Sequence, residues 1–312
     1  MTGFDTVGLT RPASQLVTVF GGSGFLGRHV VRALAKRGYR IRVAVRRPDL
    51  AQFLQPLGRV GQIVGVQANL RNPASIVRAT EHADIVVNLV GILQESGSQS
   101  FQRLQADGAA EIARAAAAVG APMIHVSALG ADEASASAYA RSKAAAEAML
   151  GDALAPTNRL IVARAFNHTG RGQDERFVLP SFAGQIARIE AGRQAPEMRV
   201  GNLEAARDFL DVRDVCEAYR ALLVTAPGLP MRSVFNVCSG TPRRIADLLE
   251  TLRGMSRTPV AIRLDEARLR PSDVPVATGA NARLRDATGW APTRPIEKTL
   301  RDLLDHARTA AA

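Results

Sequence analysis

The first half of the chain alternates short apolar runs with segments whose apolar residues recur every three or four positions. Short apolar runs are typical of buried strands, and we predict strands at residues 16–20, 39–46, 61–66, 83–90, 122–126 and 159–165. Helical periodicity predicts helices at residues 28–37, 72–81, 106–119 and 139–150. Strands that alternate with helices are the signature of a doubly wound parallel sheet, so we predict a Rossmann-type α/β fold.

The alternation loosens beyond about residue 167. There the spacing predicts helices at 177–191, 212–223, 245–253 and 296–307, and one apolar run predicts a strand at 234–237. We therefore expect two domains: an NAD(P)-binding Rossmann domain over residues 1–165 and a smaller mixed α/β lobe over residues 166–312. This expectation allows for exchange of chain segments between the two lobes.

Composition narrows the class of protein. The chain has 312 residues, of which 46% are hydrophobic, and no apolar run reaches the roughly 20 residues that a membrane helix needs. The first fifteen residues lack the apolar core of a signal peptide. Its two cysteines, Cys216 and Cys238, form neither a disulfide framework nor a Cys-x-x-Cys metal pair. We expect a cytoplasmic protein without a membrane span or a metal site.

The net charge of +11 comes almost entirely from arginine, which supplies 37 of the 40 basic residues. One interpretation is an anionic partner, such as a phosphate-bearing small molecule, nucleic acid or acidic lipid. The other is a general replacement of lysine by arginine. The arginines are dispersed, and only 4% of the residues are aromatic, so the chain has no stacking platform for bases. Nucleic acid is therefore not a predicted partner.

A glycine-rich turn separates the first predicted strand from the first helix. Gly21, Gly24 and Gly27 have the spacing of a dinucleotide-binding turn. The first glycine permits the tight turn, the second lets the backbone approach a pyrophosphate, and the third lets the helix pack against the sheet. We predict a dinucleotide site here, and we include Phe25 and Leu26 of the same turn.

The residues after the next three strands predict which dinucleotide binds. An acidic residue after the second strand would favour the ribose hydroxyls of NAD, whereas this chain has Arg46 and Arg47. Guanidinium groups favour a 2′-phosphate, so NADP is the predicted cofactor and NAD the alternative. The adenine would lie near Asn69 and Leu70, and the nicotinamide ribose would be lined by Leu89, Val90 and Gly91.

Three further residues have the pattern of an acid–base centre. Tyr139 and Lys143 lie four residues apart, on one face of a predicted helix, and Ser127 ends a predicted strand. We expect the Lys143 ammonium to lower the pKa of Tyr139 toward a range useful for proton transfer. The Ser127 hydroxyl would donate to a substrate carbonyl, Tyr139 would donate a proton, and Lys143 would hold the cofactor ribose. We therefore include both Tyr139 and Lys143 among the predicted cofactor-binding residues.

The Ser127, Tyr139 and Lys143 set, together with the glycine turn, resembles the extended branch of the short-chain dehydrogenase/reductase superfamily, which handles nucleotide sugars. Dehydratases of this branch carry an acidic pair directly after the active-site Ser or Thr. This chain has Ala128 and Leu129 at those positions. Because neither side chain can act as a base, the sequence favours reduction over dehydration. The branch often forms dimers, so we expect a homodimer.

The C-terminal half carries motifs at residues 164–173, 177–182, 201–208 and 270–274. They resemble those of GDP-4-keto-6-deoxy-D-mannose reductases and GDP-mannose 4,6-dehydratases. The resemblance implies a nucleotide-sugar site in which Asn167 contacts the sugar diphosphate, and Val178 and Leu203 frame the base. It also implies that Arg207 and Arg270 clamp the pyrophosphate and that the Asp273 carboxylate binds the ribose.

The N-terminal half carries other motifs, at residues 66–70, 87–92 and 125–132. They resemble the bacterial relatives of the NADPH-binding accessory subunit of respiratory complex I, in which the cofactor is held mainly for structure. Only eleven residues separate Ser127 from Tyr139, fewer than in the reductases. Three functions therefore stay open: a nucleotide-sugar reductase, a non-catalytic assembly subunit, and a reductase of another carbonyl, such as a quinone or flavonoid-like compound.

Overall fold

The structure is a computed structural model, and it describes residues 12–97, 99–131, 134–135, 137–154, 157–269 and 274–311. The chain divides into two compact units. The first unit contains the described residues up to Arg164 together with Leu222–Val234. The second contains Ala165–Ala221 and the described residues from Phe235 onward. The chain therefore returns to the first unit once before it ends in the second.

Strands and helices alternate regularly up to residue 165. In chain order these elements are β1 (Leu16–Phe20), α1 (Phe25–Lys36), β2 (Arg40–Val45), β3 (Ile63–Gln67), α2 (Pro73–Thr80), β4 (Ile85–Asn88), α3 (Gly108–Ala118), β5 (Met123–Ala128), α4 (Ala138–Ala153) and β6 (Leu160–Ala165). Every strand and helix predicted in this half is present, with ends that differ by a few residues.

The remainder of the chain has shorter strands. Its elements are β7 (Asn167–Thr169), α5 (Val178–Glu190), β8 (Glu197–Val200), β9 (Ala206–Asp211), α6 (Val212–Thr225), β10 (Arg232–Val237), β11 (Pro242–Arg244), α7 (Ile245–Arg253), β12 (Ala261–Leu264), β13 (Val276–Ala277), α8 (Ala282–Thr288) and α9 (Ile296–Ala311). The predicted helices and the strand β10 are present. The other strands were not predicted because they are short and partly polar, so they carry little periodicity.

A seven-stranded sheet has the order β10-β6-β5-β4-β1-β2-β3. Strand β1 pairs in parallel with both β2 and β4, and β2–β3 and β4–β5 are also parallel. After β3 the chain crosses to the other side of β1, so the strand order reverses between β1 and β4. Ligands bind at the carboxyl ends of the strands at such a reversal. The predicted Rossmann-type α/β fold is confirmed.

One face of this sheet is covered by helices rich in alanine. The core there contains Phe20, Ile76, Ile112, Met123 and Leu150, all at most 1% exposed. The alanines of α3 let this helix approach the strands closely, because small side chains shorten the distance between helix and sheet. This core holds α3 and α4 against the sheet.

The second unit has its own apolar core between α5, α7 and α9. Its fully buried members include Leu179, Leu249, Leu252, Leu300 and Leu304. Beside these helices, β9 pairs with β7, β11 and β13, and β8 forms a separate parallel pair with β12. These two small sheets position the loops that line the cavity of this unit.

Among the described residues, no helix combines the length and apolarity required to cross a bilayer. The same residues contain no group of three or more His, Cys, Asp or Glu side chains placed to hold a metal ion.

Candidate active site

The glycine turn between β1 and α1 is closed by its own backbone. Gly21 has φ of +78°, a conformation that side chains disfavour, and its carbonyl accepts from the amide of Gly24 at 3.1 Å. A Cβ on Gly27 would lie 2.3 Å from the Gly21 oxygen, so this position admits no side chain. The first amides of α1 have no acceptor one turn earlier in the helix, and they and the helix dipole favour a phosphate.

A cavity of about 270 Å³ lies beside this turn, at the carboxyl ends of β1 to β4. We call it the cofactor cavity. Its lining includes most of the residues predicted for the dinucleotide, namely Gly21, Gly24, Arg46, Asn69, Leu70, Leu89, Val90 and Gly91. Six predicted residues are not part of the lining, namely Phe25, Leu26, Gly27, Arg47, Tyr139 and Lys143. The glycine turn and the cavity, whose lining includes the polar residues Arg46 and Asn69, fit a dinucleotide.

The two arginines predicted to select NADP differ in position. Arg46 lines the cofactor cavity, where its Nη1 donates to Oε1 of Gln99 at 3.2 Å. Arg47 instead binds the carboxylate of Asp49 through Nε and Nη2, at 3.0 and 2.7 Å. The hydrogen bond from Arg47 lowers the pKa of Asp49 and raises that of Arg47. Arg71, which the sequence analysis missed, also lines the cavity, and its position directly after Asn69 and Leu70 was the available signal.

The three predicted catalytic residues lie on β5 and α4. Ser127 is close to the end of β5 and only 3% exposed, and its hydroxyl has no hydrogen-bond partner in the described part of the protein. Helix α4 begins after Ser137, whose Oγ accepts from the amide of Ala140 at 3.4 Å, so Tyr139 lies in the first turn. Lys143 is 3% exposed, and its Nζ donates to the Val126 carbonyl at 3.2 Å.

Lys143 also lies next to the cofactor cavity. A Cβ on Gly91, which lines that cavity, would be 3.3 Å from Nζ of Lys143. Burial lowers the pKa of Lys143 to about 8, although the nearby Glu147 carboxylate opposes this shift. The glutamate is itself held by Nε and Nη2 of Arg164, at 3.0 and 2.6 Å. Lys143 therefore keeps its charge at neutral pH and loses it in mildly alkaline solution.

The expectation that Lys143 lowers the pKa of Tyr139 is wrong for this structure. Burial raises the pKa of the Tyr139 phenol. The physical reason is geometric: Nζ of Lys143 lies 5.9 Å from the centroid of the tyrosine ring, and it donates to a backbone carbonyl of β5. Desolvation of the phenolate is therefore the dominant effect. At neutral pH the phenol keeps its proton.

Buried polar residues that the sequence analysis missed surround Lys143. Oδ1 of Asn88 accepts from the Val90 amide at 3.0 Å, so its Nδ2 faces Nδ1 of His125 at 3.1 Å and donates to it. Burial and the Lys143 charge place the pKa of His125 well below its usual range, so the ring is neutral. The available signal was a polar residue in an otherwise apolar strand: Asn88 ends β4, and His125 lies within β5.

Gln105 belongs to a π-helical turn, Gln102–Asp107, that precedes α3. Such turns are frequent at functional sites. The Nε2 of Gln105 donates to Oγ of Ser142 at 3.0 Å, and Ser142 donates to the carbonyl of Tyr139 at 2.7 Å. The turn thus ties the start of α4, and with it Tyr139, to the segment before α3.

The second unit contains a cavity of about 440 Å³ between α5, β8 and β9, which we call the arginine-lined cavity. Three residues predicted to bind a nucleotide sugar line it: Asn167, Val178 and Arg207. Leu203 does not; it packs against the apolar core of this unit. The predicted Arg270 and Asp273 lie outside the described residues.

The lining also includes residues that the sequence analysis missed, among them Arg176, Arg199, Arg268, Phe177 and Ser181. With Arg207, four guanidinium groups contribute to this cavity. Among the described residues, the acidic residue of the lining is Glu175, and both of its carboxylate oxygens accept from Nη1 of Arg188 at 2.9 Å. Carboxylates outside the lining pair with three of these arginines: Asp174 with Arg176, Glu197 with Arg199 and Asp265 with Arg268. Guanidinium groups beside an apolar wall suit a phosphorylated ligand that also carries a flat ring.

The model of the NAD dependent epimerase/dehydratase family matches residues 17–238. The chain belongs to this family. Its members are NAD(P)-dependent, so the predicted extended short-chain dehydrogenase/reductase type of oxidoreductase is confirmed at the level of the family.

The curated relatives that match the chain differ in function. The GDP-6-deoxy-D-mannose reductase of Pseudomonas aeruginosa is 42% identical over 167 residues, which are 53% of this chain and 54% of the relative. The ceramide reductase of Caulobacter vibrioides is 40% identical over 139 residues, which are 45% of this chain and 43% of the relative. Subunit 9 of the NADH dehydrogenase [ubiquinone] 1 alpha subcomplex from Dictyostelium discoideum is 38% identical over 139 residues, which are 44% of this chain and 39% of the relative. The chain thus spans about half or less of the length of these relatives. Both predicted resemblances are confirmed.

Among solved structures, RMD from Pseudomonas aeruginosa complexed with NADPH superposes with a TM-score of 0.78. The superposition covers 95% of this chain and 100% of that protein, at 30% sequence identity. Because this neighbour was solved with NADPH, the predicted cofactor class is confirmed.

Proposed function

We propose that the protein is an NADP(H)-dependent reductase of a 4-keto-6-deoxyhexose linked to GDP. The observation that carries this proposal is the buried, unpartnered hydroxyl of Ser127 on β5, next to Val126, whose carbonyl accepts from Lys143 of α4, one turn after Tyr139. The arginine-lined cavity and the relative named as a GDP-6-deoxy-D-mannose reductase support the substrate class.

The protein's residues would bind and orient the carbonyl and supply its proton. The chemistry supplied by a bound NADPH is donation of hydride to the carbonyl carbon. Ser127 would donate a hydrogen bond to the carbonyl oxygen and polarise it, and Tyr139 would donate its proton to the same oxygen. Burial that raises the pKa of Tyr139 keeps this proton in place, as a general acid requires for reduction. Lys143 would bind the cofactor ribose and stabilise the phenolate that remains.

The residues after Ser127 favour reduction over dehydration. Ala128 ends β5 and Leu129 is 37% exposed, and neither can remove a carbon-bound proton. The reaction would therefore end with the alcohol and oxidised cofactor.

The test is consumption of NADPH by the purified protein with GDP-4-keto-6-deoxy-D-mannose. We expect turnover in the wild type and a loss of about 10²–10⁴-fold in Tyr139→Phe, the contribution typical of a positioned acid. NADPH affinity should change less than threefold, because the phenol is not needed to hold the cofactor. Equal turnover by Tyr139→Phe, or no turnover in the wild type, would contradict the proposal.

A second candidate function is favoured by one observation, the similarity to a subunit of NADH dehydrogenase. In this case the cofactor cavity would hold NADPH for structure, without turnover. NADPH that co-purifies with the protein, together with no detectable GDP binding, would favour this function. A rise of the melting temperature with GDP would count against it, because only a folded nucleotide site gains from the ligand.

We also propose a homodimer located in the cytoplasm. Sedimentation velocity measures the first and cell fractionation the second; a monomer at micromolar concentration or a membrane-bound pool would contradict them.

A further inference from the structure

One loop of the second unit holds an arginine in a fixed place in the arginine-lined cavity. The pairing of β12 with β8 continues beyond the strands, because the Asp265 amide donates to the Val200 carbonyl at 2.8 Å. The amide of Arg268 then donates to the Asp265 carbonyl at 2.9 Å, which closes a turn. A Cβ on Gly201 would lie 2.4 Å from the Arg268 carbonyl oxygen. The loop therefore packs directly on the backbone of Gly201.

The side chain of Arg268 is also oriented. Its Nη1 donates to Oγ of Ser181 at 3.2 Å, and its Nε lies 3.4 Å from Oδ2 of Asp265. The Asp265 carboxylate offsets part of the guanidinium charge. Arg268 lines the cavity, and its Nη2 takes part in neither of these two contacts. An arginine whose charge is partly offset is better suited to directional hydrogen bonds than to neutralising a phosphate.

The position of Ser181 shows which part of a ligand Arg268 would meet. Ser181 is one turn after Val178 on α5, and Phe177, Val178 and Phe182 from the same segment line the cavity. The flat face of a nucleobase gains most from this apolar wall. The polar edge of a base that lies there would meet the Arg268 guanidinium.

We propose that Arg268 binds the edge of the nucleobase and selects guanine; this inference rests on the proposed function. Guanine presents O6 and N7 as two adjacent acceptors that match the guanidinium fork. Adenine presents a donor beside N7, and a pyrimidine such as uracil presents one carbonyl acceptor at the corresponding edge. Of the common bases, guanine alone satisfies both N–H groups.

The experiment separates a base contact from a phosphate contact. Calorimetry with GDP, UDP and ADP is carried out on the wild type, Arg268→Ala and Arg268→Lys. Arg207→Ala, from the same cavity, tests a predicted phosphate contact. Arg263→Ala is the matched control, because Arg263 lies on β12 and pairs with Glu197 at 3.5 Å without lining the cavity. Circular dichroism establishes that each variant is folded.

The wild type should prefer GDP over UDP and ADP. Arg268→Ala should weaken GDP about 10–100-fold, as expected for a bidentate base contact, and leave UDP and ADP within about threefold. Arg268→Lys should also lose the preference for GDP, because an ammonium lacks the planar fork. Arg207→Ala should lower the affinity for all three nucleotides alike, and Arg263→Ala should leave all three affinities unchanged.

Two outcomes would overturn the assignment of Arg268: an equal loss of affinity for all three ligands in Arg268→Ala, or an unchanged preference for GDP in that variant. A wild type that prefers UDP or ADP would overturn the selection of guanine. If the wild type binds none of the three, the nucleotide-sugar substrate itself is wrong, and the proposed function fails with it.

Discussion

The cofactor cavity of the first unit and the arginine-lined cavity of the second are built from different parts of the polypeptide. The first is formed by backbone at the ends of parallel strands, where Gly21 adopts a positive φ and Gly27 leaves room for the turn. The second is formed largely by side chains of the helix α5, of short strands and of loops. A site built from backbone requires particular residue types, whereas a site built from side chains accepts several solutions. This difference explains why the first was easier to predict.

The largest expected effect is that of Gly27→Ala. The added Cβ would meet the Gly21 oxygen at 2.3 Å and Gly22 backbone atoms at 2.6 Å, so the turn must shift. We expect NADPH binding to weaken more than about 100-fold and stability to fall by about 1–3 kcal/mol or more, as for overpacking. GDP binding should persist, because the arginine-lined cavity uses no residue of this turn.

The matched control is Gly151→Ala, a helical glycine of α4 with open space around its Cβ. Alanine there should stabilise the protein by about 0.5–1 kcal/mol. Calorimetry and thermal unfolding measure both variants. Unchanged NADPH affinity in Gly27→Ala would show that the turn does not hold the cofactor.

The next effect is a pH dependence that arises from Lys143. Its folded-state pKa of about 8 means that the ammonium is present at pH 7 and lost above pH 8. The kcat/KM for reduction should therefore be flat below pH 8 and fall about tenfold per pH unit above it, if the charge is needed to bind the cofactor. Lys143→Arg should move this fall to higher pH. A profile that stays flat to pH 10 would contradict the assigned role of Lys143.

The free energy of unfolding should rise with pH in the range where kcat/KM falls. Because the folded protein releases this proton near pH 8 and the unfolded chain only near the usual lysine pKa of 10.5, the unfolded state binds more protons between these values. Raising the pH across this window should favour the folded state, and Lys143→Met should lose this gain. Denaturant titrations at pH 8 and pH 10 measure the difference.

A smaller effect separates the two arginines after β2. Arg46→Ala should weaken NADPH by about tenfold, since hydrogen bonds to charged groups contribute about 1.5–3 kcal/mol and this one is exposed. NADH affinity should hardly change. Arg47→Ala is the internal control, because this side chain binds Asp49 and does not line the cavity. Equal losses in the two variants would mean that the phosphate lies elsewhere.

The smallest expected effect is at the start of α4. Ser137→Ala removes the side-chain acceptor of the Ala140 amide and should cost about 0.5–2 kcal/mol of stability. NADPH affinity should change less than twofold. A large loss of cofactor binding would show that the start of α4 shapes the cofactor cavity.

The sequence predicted the fold of the first unit well, because buried parallel strands and amphipathic helices carry strong periodicity. It also placed Ser127, Tyr139 and Lys143 correctly on β5 and α4. Periodicity cannot show where a side chain points or how far its atoms lie from those of its neighbours. The pairing of Arg47 with Asp49 and the raised pKa of Tyr139 both depend on where particular atoms lie.

The arginine-lined cavity was predicted in part. Asn167, Val178 and Arg207 line it, whereas Leu203 packs into the apolar core. Arg268 was missed because its role depends on a turn anchored to Val200 and Gly201, and contacts between segments distant in sequence leave no local signal.

Hydride transfer can be followed by mass spectrometry, as deuterium that passes from specifically deuterated NADPH to C4 of the GDP-linked sugar. We expect one deuterium per product molecule with the wild type and almost none with Tyr139→Phe over the same time. Protein that binds NADPH tightly yet transfers no deuterium to the sugar would contradict the proposed function.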